Sequence, residues 1–204
     1  MSRFLRIYCT LELKMRLIIA SNNKHKIYEI KKILGSKFEE ILSMREAGID
    51  HETVEDGVTF MENALKKARE IAEISDCAAL ADDSGICAHA LDDAPGIFSA
   101  RFAGNHGDDE ANNALLLKKL EDKTDKGAHY TCAMALVFPD GREITAEGYM
   151  YGTITHDPRG TAGFGYDPLF VPTGETRTVA EMTDEEKNAI SHRANALAQL
   201  LKKL

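Results

Sequence analysis

The chain has 204 residues, of which 44% are hydrophobic and 28% charged, values typical of a globular protein. Its 25 basic and 33 acidic residues give a net charge of −8, which argues against a nucleic-acid partner held by phosphate contacts. No apolar run approaches the roughly 20 residues that a membrane-spanning helix needs, so we expect no membrane partner either.

The first half of the chain alternates between strand and helix patterns, which is typical of an α/β domain. Continuous apolar runs predict strands buried on both faces, and apolar residues at helical spacing behind a capping residue predict helices. The predicted elements are a strand at 17–20, a helix capped by residues 21–23 and ending at Gly35, a helix opening with the Thr59/Glu62 capping box, and strands at 78–81 and 86–91.

The second half adds a hairpin to this pattern. A Pro-Asp-Gly turn between two apolar runs favours antiparallel pairing. Its predicted elements are a helix at 109–120, hairpin strands at 130–138 and 144–151, an irregular Gly- and Pro-rich segment at 157–168, a short helical turn behind Thr183, and a helix from Ser191. The fold class is therefore α/β, with a mixed β-sheet flanked by helices on its faces.

The start of the chain stands apart from this domain. Met15 comes directly before the first predicted strand, so residues 1–14 are predicted to be an appendage or an upstream start, and residues 15–204 one domain. The four cysteines show neither a CxxC pair nor zinc-like spacing, which favours reduced thiols and a cytoplasmic protein. They are Cys9, Cys77, Cys87 and Cys132.

The turn after the first predicted strand combines capping and basic residues. It lies where free backbone N–H groups and the helix dipole attract anions. We expect it to bind phosphate, although a well-capped surface helix explains the same residues. The chain has no GxxxxGK[ST] motif here, which excludes a P-loop. The residues are Ser21, Asn22, Asn23, Lys24, His25 and Lys26.

Two acidic residues, Asp82 and Asp83, follow the predicted strand at 78–81. Adjacent carboxylates after an apolar run are costly unless a cation neutralises them. Mg²⁺ typically uses one or two carboxylates plus substrate phosphates, so we expect Mg²⁺ here, with Glu55 as a further acid and Ser84 beside it. A solvated Asp-Ser-Gly turn is the alternative.

Two further clusters suit a planar ligand. The loop at 160–168 has glycines around two aromatic residues, which lets the backbone lie flat against a ligand while a ring stacks on it. Aromatic residues that fill the core are the alternative interpretation. Hydrogen-bond donors then gather near the start of the last helix. The residues are Phe164, Gly165, Tyr166, Asp167, Lys187, His192 and Arg193.

Taken in chain order, these clusters resemble the inosine/xanthosine triphosphate pyrophosphatase family. Six motifs carry the match, from about Met15 to the C-terminus. They are Ser21-x-Asn23-x-x-Lys26 with Glu29, Glu55-x-Gly57-x-Thr59-Phe60-x-Glu62-Asn63-Ala64, Ala81-Asp82-Asp83-Ser84-Gly85, Pro95-Gly96 with Ser99-Ala100-Arg101, Gly163-Phe164-Gly165-Tyr166-Asp167-Pro168, and Lys187 with Ser191-His192-Arg193. Two features depart from the family pattern: the segment before Met15, and Ala162 where glycine is common.

The resemblance implies hydrolysis of ITP, dITP and XTP to the monophosphate and pyrophosphate, with Mg²⁺ as cofactor. It also implies an elongated two-lobed fold with a central nucleotide cleft, and a homodimer. The implied roles are Asp83 as general base and metal ligand, Asp82 and Glu55 as supporting acids, residues 21–26 and Lys67 on the triphosphate, Ser84 on the substrate, Phe164 stacking within the loop at 164–167, and Lys187, His192 and Arg193 around the base.

The hydrogen-bond donors predicted around the base favour some purines over others. Lys187 and Arg193 carry donors only, which suits the C6 oxygen of hypoxanthine or xanthine and disfavours the C6 amine of adenine. Guanine carries the same C6 oxygen, so contacts to that oxygen alone cannot exclude it.

Two rival functions stay open. A septum-inhibitor-type nucleotide pyrophosphatase or general metal-dependent phosphatase is the rival enzyme class, and a non-catalytic nucleotide-binding module is the second rival.

Overall fold

The computed structural model describes residues 13–35 and 37–204. Residues 1–12 of the predicted appendage lie outside the described residues. Its last two residues, Leu13 and Lys14, belong to the first strand, so the fold starts two residues earlier than predicted. Within the described ranges, no helix combines the length and apolar character needed to cross a membrane.

Residues 13–35 and 37–204 form a six-stranded mixed sheet and five α-helices, which confirms the predicted class. The strands are β1 (Leu13–Ile19), β2 (Phe38–Ser43), β3 (Ala78–Ala88), β4 (Gly127–Val137), β5 (Glu143–Ile154) and β6 (Phe170–Pro172). The helices are α1 (Lys24–Leu34), α2 (Phe60–Ser75), α3 (Asp109–Leu120), α4 (Asp184–Ile190) and α5 (His192–Leu201), with 3₁₀ turns at His89–Leu91, Gly96–Arg101 and Val179–Glu181.

The strand order is β2-β1-β3-β4-β5-β6, with β1 parallel to both neighbours and the remaining pairs antiparallel. The predicted helices and the hairpin are confirmed. One strand prediction was wrong and one strand was missed. The edge strand β2 was not predicted; its residues do not alternate between buried and exposed, so its sequence lacks the alternating pattern typical of a strand. The strands predicted at 78–81 and 86–91 are one continuous strand, β3, followed by the 3₁₀ turn at His89–Leu91.

Helices cover both faces of the sheet. One core region lies between the sheet and helices α1 and α5, and another lies on the opposite face beneath α2. A third core region surrounds the far ends of β3, β4 and β5, next to α3. The apolar residues of β3 in the first two regions end at Ala81 and those of the third begin at Ile86. The polar stretch 82–85 therefore lies where the core regions meet.

Candidate active site

The turn between β1 and α1 is ordered by its own capping residue. Asn23 Oδ1 accepts the backbone N–H groups of His25 (3.0 Å) and Lys26 (3.2 Å), and Ser21 Oγ accepts that of Asn23 (3.2 Å). Asn22 and Lys24 are exposed. The Lys26 ammonium lies 3.1 Å from Asp82 Oδ2, so the basic turn meets the acids of β3 directly.

Asp82 and Asp83 lie on opposite faces of β3, because successive side chains of a strand alternate. Asp82 is completely buried on the face covered by α1 and α5, where Lys26 and Arg193 contact it. Asp83 lies on the face covered by α2. The alternative interpretation, a solvated Asp-Ser-Gly turn, is wrong, because both acids are buried within β3. Among the described residues, Asp82 Oδ1 has no hydrogen-bond partner, so a metal contact by Asp82 stays a prediction for that atom only.

Asp83 has its partners on α2. Asn63 Nδ2 donates to Asp83 Oδ2 (3.0 Å), and the Lys67 ammonium lies 3.7 Å from Asp83 Oδ1 and 2.6 Å from Glu55 Oε1. Burial raises the pKa of Asp83, and the nearby Lys67 and Lys26 do not fully offset that effect. Burial would lower the pKa of Lys67, but Asp83 and Glu55 outweigh it and keep the ammonium charged.

Arg193 lies at the centre of a buried network of charges. Its side chain is 1% exposed, and it donates to Glu29 Oε2 (2.5 Å), Asp82 Oδ2 (3.0 Å) and Ser84 Oγ (3.0 Å). Lys187 lies 2.8 Å from both Glu29 Oε1 and Asp167 Oδ2. Both cations therefore have carboxylate partners within the chain, and their contact with a base stays a prediction.

Phe164 is enclosed by polar and charged neighbours. The His25 ring stacks on it at 5.1 Å between centroids and 19° between planes, and the Lys187 ammonium lies 4.7 Å from its centroid. Stacking of a base on the face that His25 covers therefore requires His25 to move. Tyr166 points into the core instead, where its hydroxyl donates to the Ser99 carbonyl (2.8 Å).

The loop that carries Phe164 is held from both sides. Asp167 Oδ2 accepts the Phe164 N–H (3.0 Å), and Gly163 has φ +77°, where an added Cβ would lie 2.1 Å from Asp167 Oδ2. Gly165 is bound through its N–H to Asp109 Oδ2 (2.6 Å) and through its carbonyl to Asn113 Nδ2 (3.0 Å). Since Ala162 is not among the positive-φ residues, its side chain imposes no backbone strain.

His192 is connected to this loop through Tyr130, whose hydroxyl donates to Asp167 Oδ1 (3.3 Å). Its ring stacks on Tyr130 at 4.6 Å and 9°, and among the described residues Nδ1 has no hydrogen-bond partner. Burial, with smaller contributions from Arg193 and Lys187, holds the pKa of His192 well below its usual range, so the ring is neutral.

Some side chains in these contacts were not predicted as site residues, among them Glu29, Asn63, Asp109 and Asn113. Glu29 joins Lys187 to Arg193, and Asn63 orients Asp83. Asp109 and Asn113 hold Gly165. The first two occur in the motifs above, so their type and position were visible. For Asp109 and Asn113, the sequence shows only that residues four positions apart lie on the same face of a helix.

The network predicts how acid destabilises the fold. Burial would raise the pKa of Glu29, but Arg193 and Lys187 outweigh it and hold that pKa below its usual value of 4.5. A carboxylate with a lowered folded-state pKa stabilises the fold above its unfolded-state pKa, and that contribution is lost as the pH falls through the folded-state pKa. We therefore expect Glu29→Gln to be less stable than the wild type at pH 7, and the difference to shrink as the pH falls below 4.5.

Urea unfolding at a series of pH values measures this difference. Glu39→Gln, at an exposed glutamate on β2, is the matched control and should follow the wild type throughout. A Glu29→Gln deficit that stays constant down to pH 3 would contradict the proposed charge interaction, and would indicate that the substitution acts through packing alone.

The chain is similar to known proteins in both sequence and fold. The Ham1 family profile matches residues 17–203. A dITP/XTP pyrophosphatase of Streptomyces coelicolor is 50% identical over 200 residues, covering 91% of this chain and 95% of that protein. A dITP/XTP pyrophosphatase of Clostridium perfringens is 49% identical over 193 residues, covering 91% of this chain and 95% of that protein.

The structure of the Staphylococcus aureus Ham1 protein superposes with a TM-score of 0.83 at 38% identity, covering 92% of this chain and 97% of that one. The Coxiella burnetii HAM1 protein gives 0.84 at 38%, covering 93% and 100%. With the family profile matching nearly the whole described domain, the chain belongs to the Ham1 family.

Proposed function

We propose that this chain hydrolyses non-standard purine nucleoside triphosphates (ITP, dITP and XTP) to the monophosphate and pyrophosphate. The relatives named dITP/XTP pyrophosphatase support this activity. One structural observation carries it: an unbroken series of contacts joins the base loop to the acids of β3. The series runs from Phe164 through Lys187, Glu29, Arg193 and Asp82 to Lys26. His25, which precedes Lys26 in the chain, stacks on Phe164 at 5.1 Å between centroids, and in this proposal one nucleotide contacts both the loop and the acids.

The reaction needs water to attack the α-phosphorus while the bond to the bridging α–β oxygen breaks. In this proposal Asp83 accepts a proton from the attacking water. Its raised pKa, which burial causes, makes it a better base than an ordinary aspartate. Lys67 and Lys26 stabilise the negative charge that develops on the phosphates and on the leaving pyrophosphate. Asn63 holds the Asp83 carboxylate in a fixed orientation.

The donor set fits Mg²⁺. Among the described residues, the charged network contains five carboxylates (Glu29, Glu55, Asp82, Asp83 and Asp167) against four cations (Lys26, Lys67, Lys187 and Arg193), so it lacks positive charge even before a triphosphate enters. Mg²⁺ prefers oxygen ligands and often binds through one or two carboxylates plus substrate phosphates. Glu55 and Asp83 would hold it. Both carboxylates lie within 4 Å of the Lys67 ammonium, so they face the same space. When bound, Mg²⁺ neutralises phosphate charge.

Asp82 takes a different role in this proposal from the one that the sequence predicted. Its Oδ2 atom accepts hydrogen bonds from Arg193 and lies near Lys26, on the opposite face of β3 from Asp83. It therefore orients Lys26 and Arg193. Selection of the base, a homodimer and a cytoplasmic setting are further proposals from the family resemblance. The described cysteines Cys77, Cys87 and Cys132 are free, which agrees with a reducing compartment.

Pyrophosphate release from ITP, XTP, GTP and ATP, each with and without Mg²⁺, tests the activity. We expect turnover of ITP and XTP in the presence of Mg²⁺, with a specificity constant at least roughly tenfold higher than for ATP. Release of single phosphates rather than pyrophosphate would favour a general phosphatase. No turnover of any of the four nucleotides, together with tight binding, would favour a binding module.

A further inference from the structure

Three potential metal ligands converge at the end of β3 away from β1. His89 follows β3, Asp93 lies in the turn after it, and His129 lies on β4. One ligand atom from each lies within 4.8 Å of the other two. Since β3 rises about 3.3 Å per residue, this cluster is roughly 20 Å along the strand from Asp83 and does not belong to the nucleotide site.

The two imidazoles are already close to the separation that one metal ion imposes. His89 Nε2 and His129 Nδ1 are 3.1 Å apart. Two nitrogen ligands at about 2.0–2.1 Å from a tetrahedral Zn²⁺ lie roughly 3.3 Å from each other. Small side-chain rotations therefore suffice to aim both nitrogens at one ion, and the Asp93 carboxylate supplies a third ligand within reach.

The backbone holds these side chains in place. His129 is fixed in the sheet by pairing with Cys87 on one side and Tyr151 on the other. Asp93 has φ +61°, a conformation that few non-glycine residues adopt, and its N–H donates to the Ala88 carbonyl (3.2 Å). Gly127 leaves room for the His89 ring, because an added Cβ would lie 2.7 Å from His89 Nδ1.

The ligand types indicate the class of metal. Imidazole nitrogen with one carboxylate suits Zn²⁺ and related late transition metals, whereas Mg²⁺ prefers oxygen throughout. The neutral form of the imidazole ring is the one that binds metal. Three protein ligands leave the fourth tetrahedral position to water or another donor.

We propose that His89, Asp93 and His129 form a second metal site, which binds one Zn²⁺-class ion and joins the turn at 89–95 to β4. The site is independent of the nucleotide cleft. Bound metal would fix the chain that leads from β3 into the 3₁₀ turn at Gly96–Arg101, where the Ser99 carbonyl accepts the Tyr166 hydroxyl.

Titration of the full-length, metal-stripped protein with Co²⁺ tests the site, because tetrahedral Co²⁺ absorbs visible light and stands in for Zn²⁺. We expect one equivalent to produce the tetrahedral absorption even with excess Mg²⁺ present, Zn²⁺ to displace the Co²⁺, and His129→Ala to weaken this binding at least roughly tenfold. His156→Ala is the matched control. It removes an exposed histidine that also lies beside an aspartate, His156 Nδ1 being 3.1 Å from Asp157 Oδ1, and it should leave Co²⁺ binding unchanged.

Gly127→Ala is a second variant that removes no ligand. Its added Cβ displaces the His89 ring, so we expect weaker Co²⁺ binding with an unchanged circular dichroism spectrum. The proposal is overturned if the wild type gives no visible absorption at one equivalent, or if His129→Ala binds as tightly as His156→Ala does. Nucleotide turnover enters none of these readouts, so the proposed function and this site can fail separately.

Discussion

Replacing Asp83 with Asn is expected to lower the turnover of ITP at least ~100-fold, in line with the loss of a general base. Asparagine keeps the shape of the side chain but cannot accept the proton of the attacking water, and it removes one of the two carboxylates proposed to hold Mg²⁺. Asn63 and Lys67 stay in place beside it. Because burial already disfavours the Asp83 charge, we expect the free energy of unfolding to change by no more than ~1 kcal/mol.

Asp56→Asn is the matched control for this substitution. Asp56 is next to Glu55 in sequence, but its carboxylate is largely exposed and pairs with Lys66. Pyrophosphate release from ITP with saturating Mg²⁺ should match the wild type in Asp56→Asn and be nearly abolished in Asp83→Asn. If Asp83→Asn kept more than about a tenth of the wild-type turnover, the proton acceptor would have to be a different group.

Replacing Arg193 with Ala is expected to lower the free energy of unfolding by about 3–5 kcal/mol, because it removes the shared partner of two buried ion pairs and leaves Asp82 and Glu29 with one cation each. Asp82 and Glu29 would both lose a charged donor, and their side chains are 0% and 8% exposed. Urea unfolding measures the effect. Arg177→Ala is the control, since Arg177 pairs with Glu175 and Glu186 on the surface and should contribute less than ~1 kcal/mol.

The same variant separates two roles for Arg193. The sequence predicted a donor to the purine C6 oxygen, whereas the structure shows its guanidinium bound to Glu29, Asp82 and Ser84. A stable Arg193→Ala protein whose ratio of ITP to ATP specificity constants had fallen would favour the first role. Lost stability with an unchanged ratio in the remaining folded protein would favour the second.

Local patterns in the sequence were sufficient to predict most of the fold. The Asn23 cap and the apolar spacing of α1 and α2 are interactions between residues a few positions apart, and each was confirmed. The strand β3 was divided wrongly because Asp82 and Asp83 interrupt its apolar pattern. Those acids are tolerated inside a strand because Arg193 and Lys67, which are distant in sequence, neutralise them.

For the candidate site, too, contacts between residues distant in sequence could not be predicted. Residue types that suit phosphate, metal and a planar base were visible, and the family resemblance ordered them. The alternation along β3 that separates Asp82 from Asp83 depends on the strand continuing through them. Asp109 and Asn113 were missed because their partner is the backbone of Gly165, some 50 residues away, and a backbone partner leaves no trace in side-chain patterns.

The uninterrupted course of β3 restricts which length changes this enzyme can tolerate. Asp82 is opposite Met134 and Asp83 is opposite Ala133 on β4. One residue inserted into β3 before Asp82 would turn every following side chain to the other face, so that Asp82 would take the position of Asp83 and Asp83 that of Ser84. Two inserted residues would return each following side chain to its original face of the sheet. We therefore expect natural variants of this strand to differ in length by even numbers, or to compensate an odd change with a bulge.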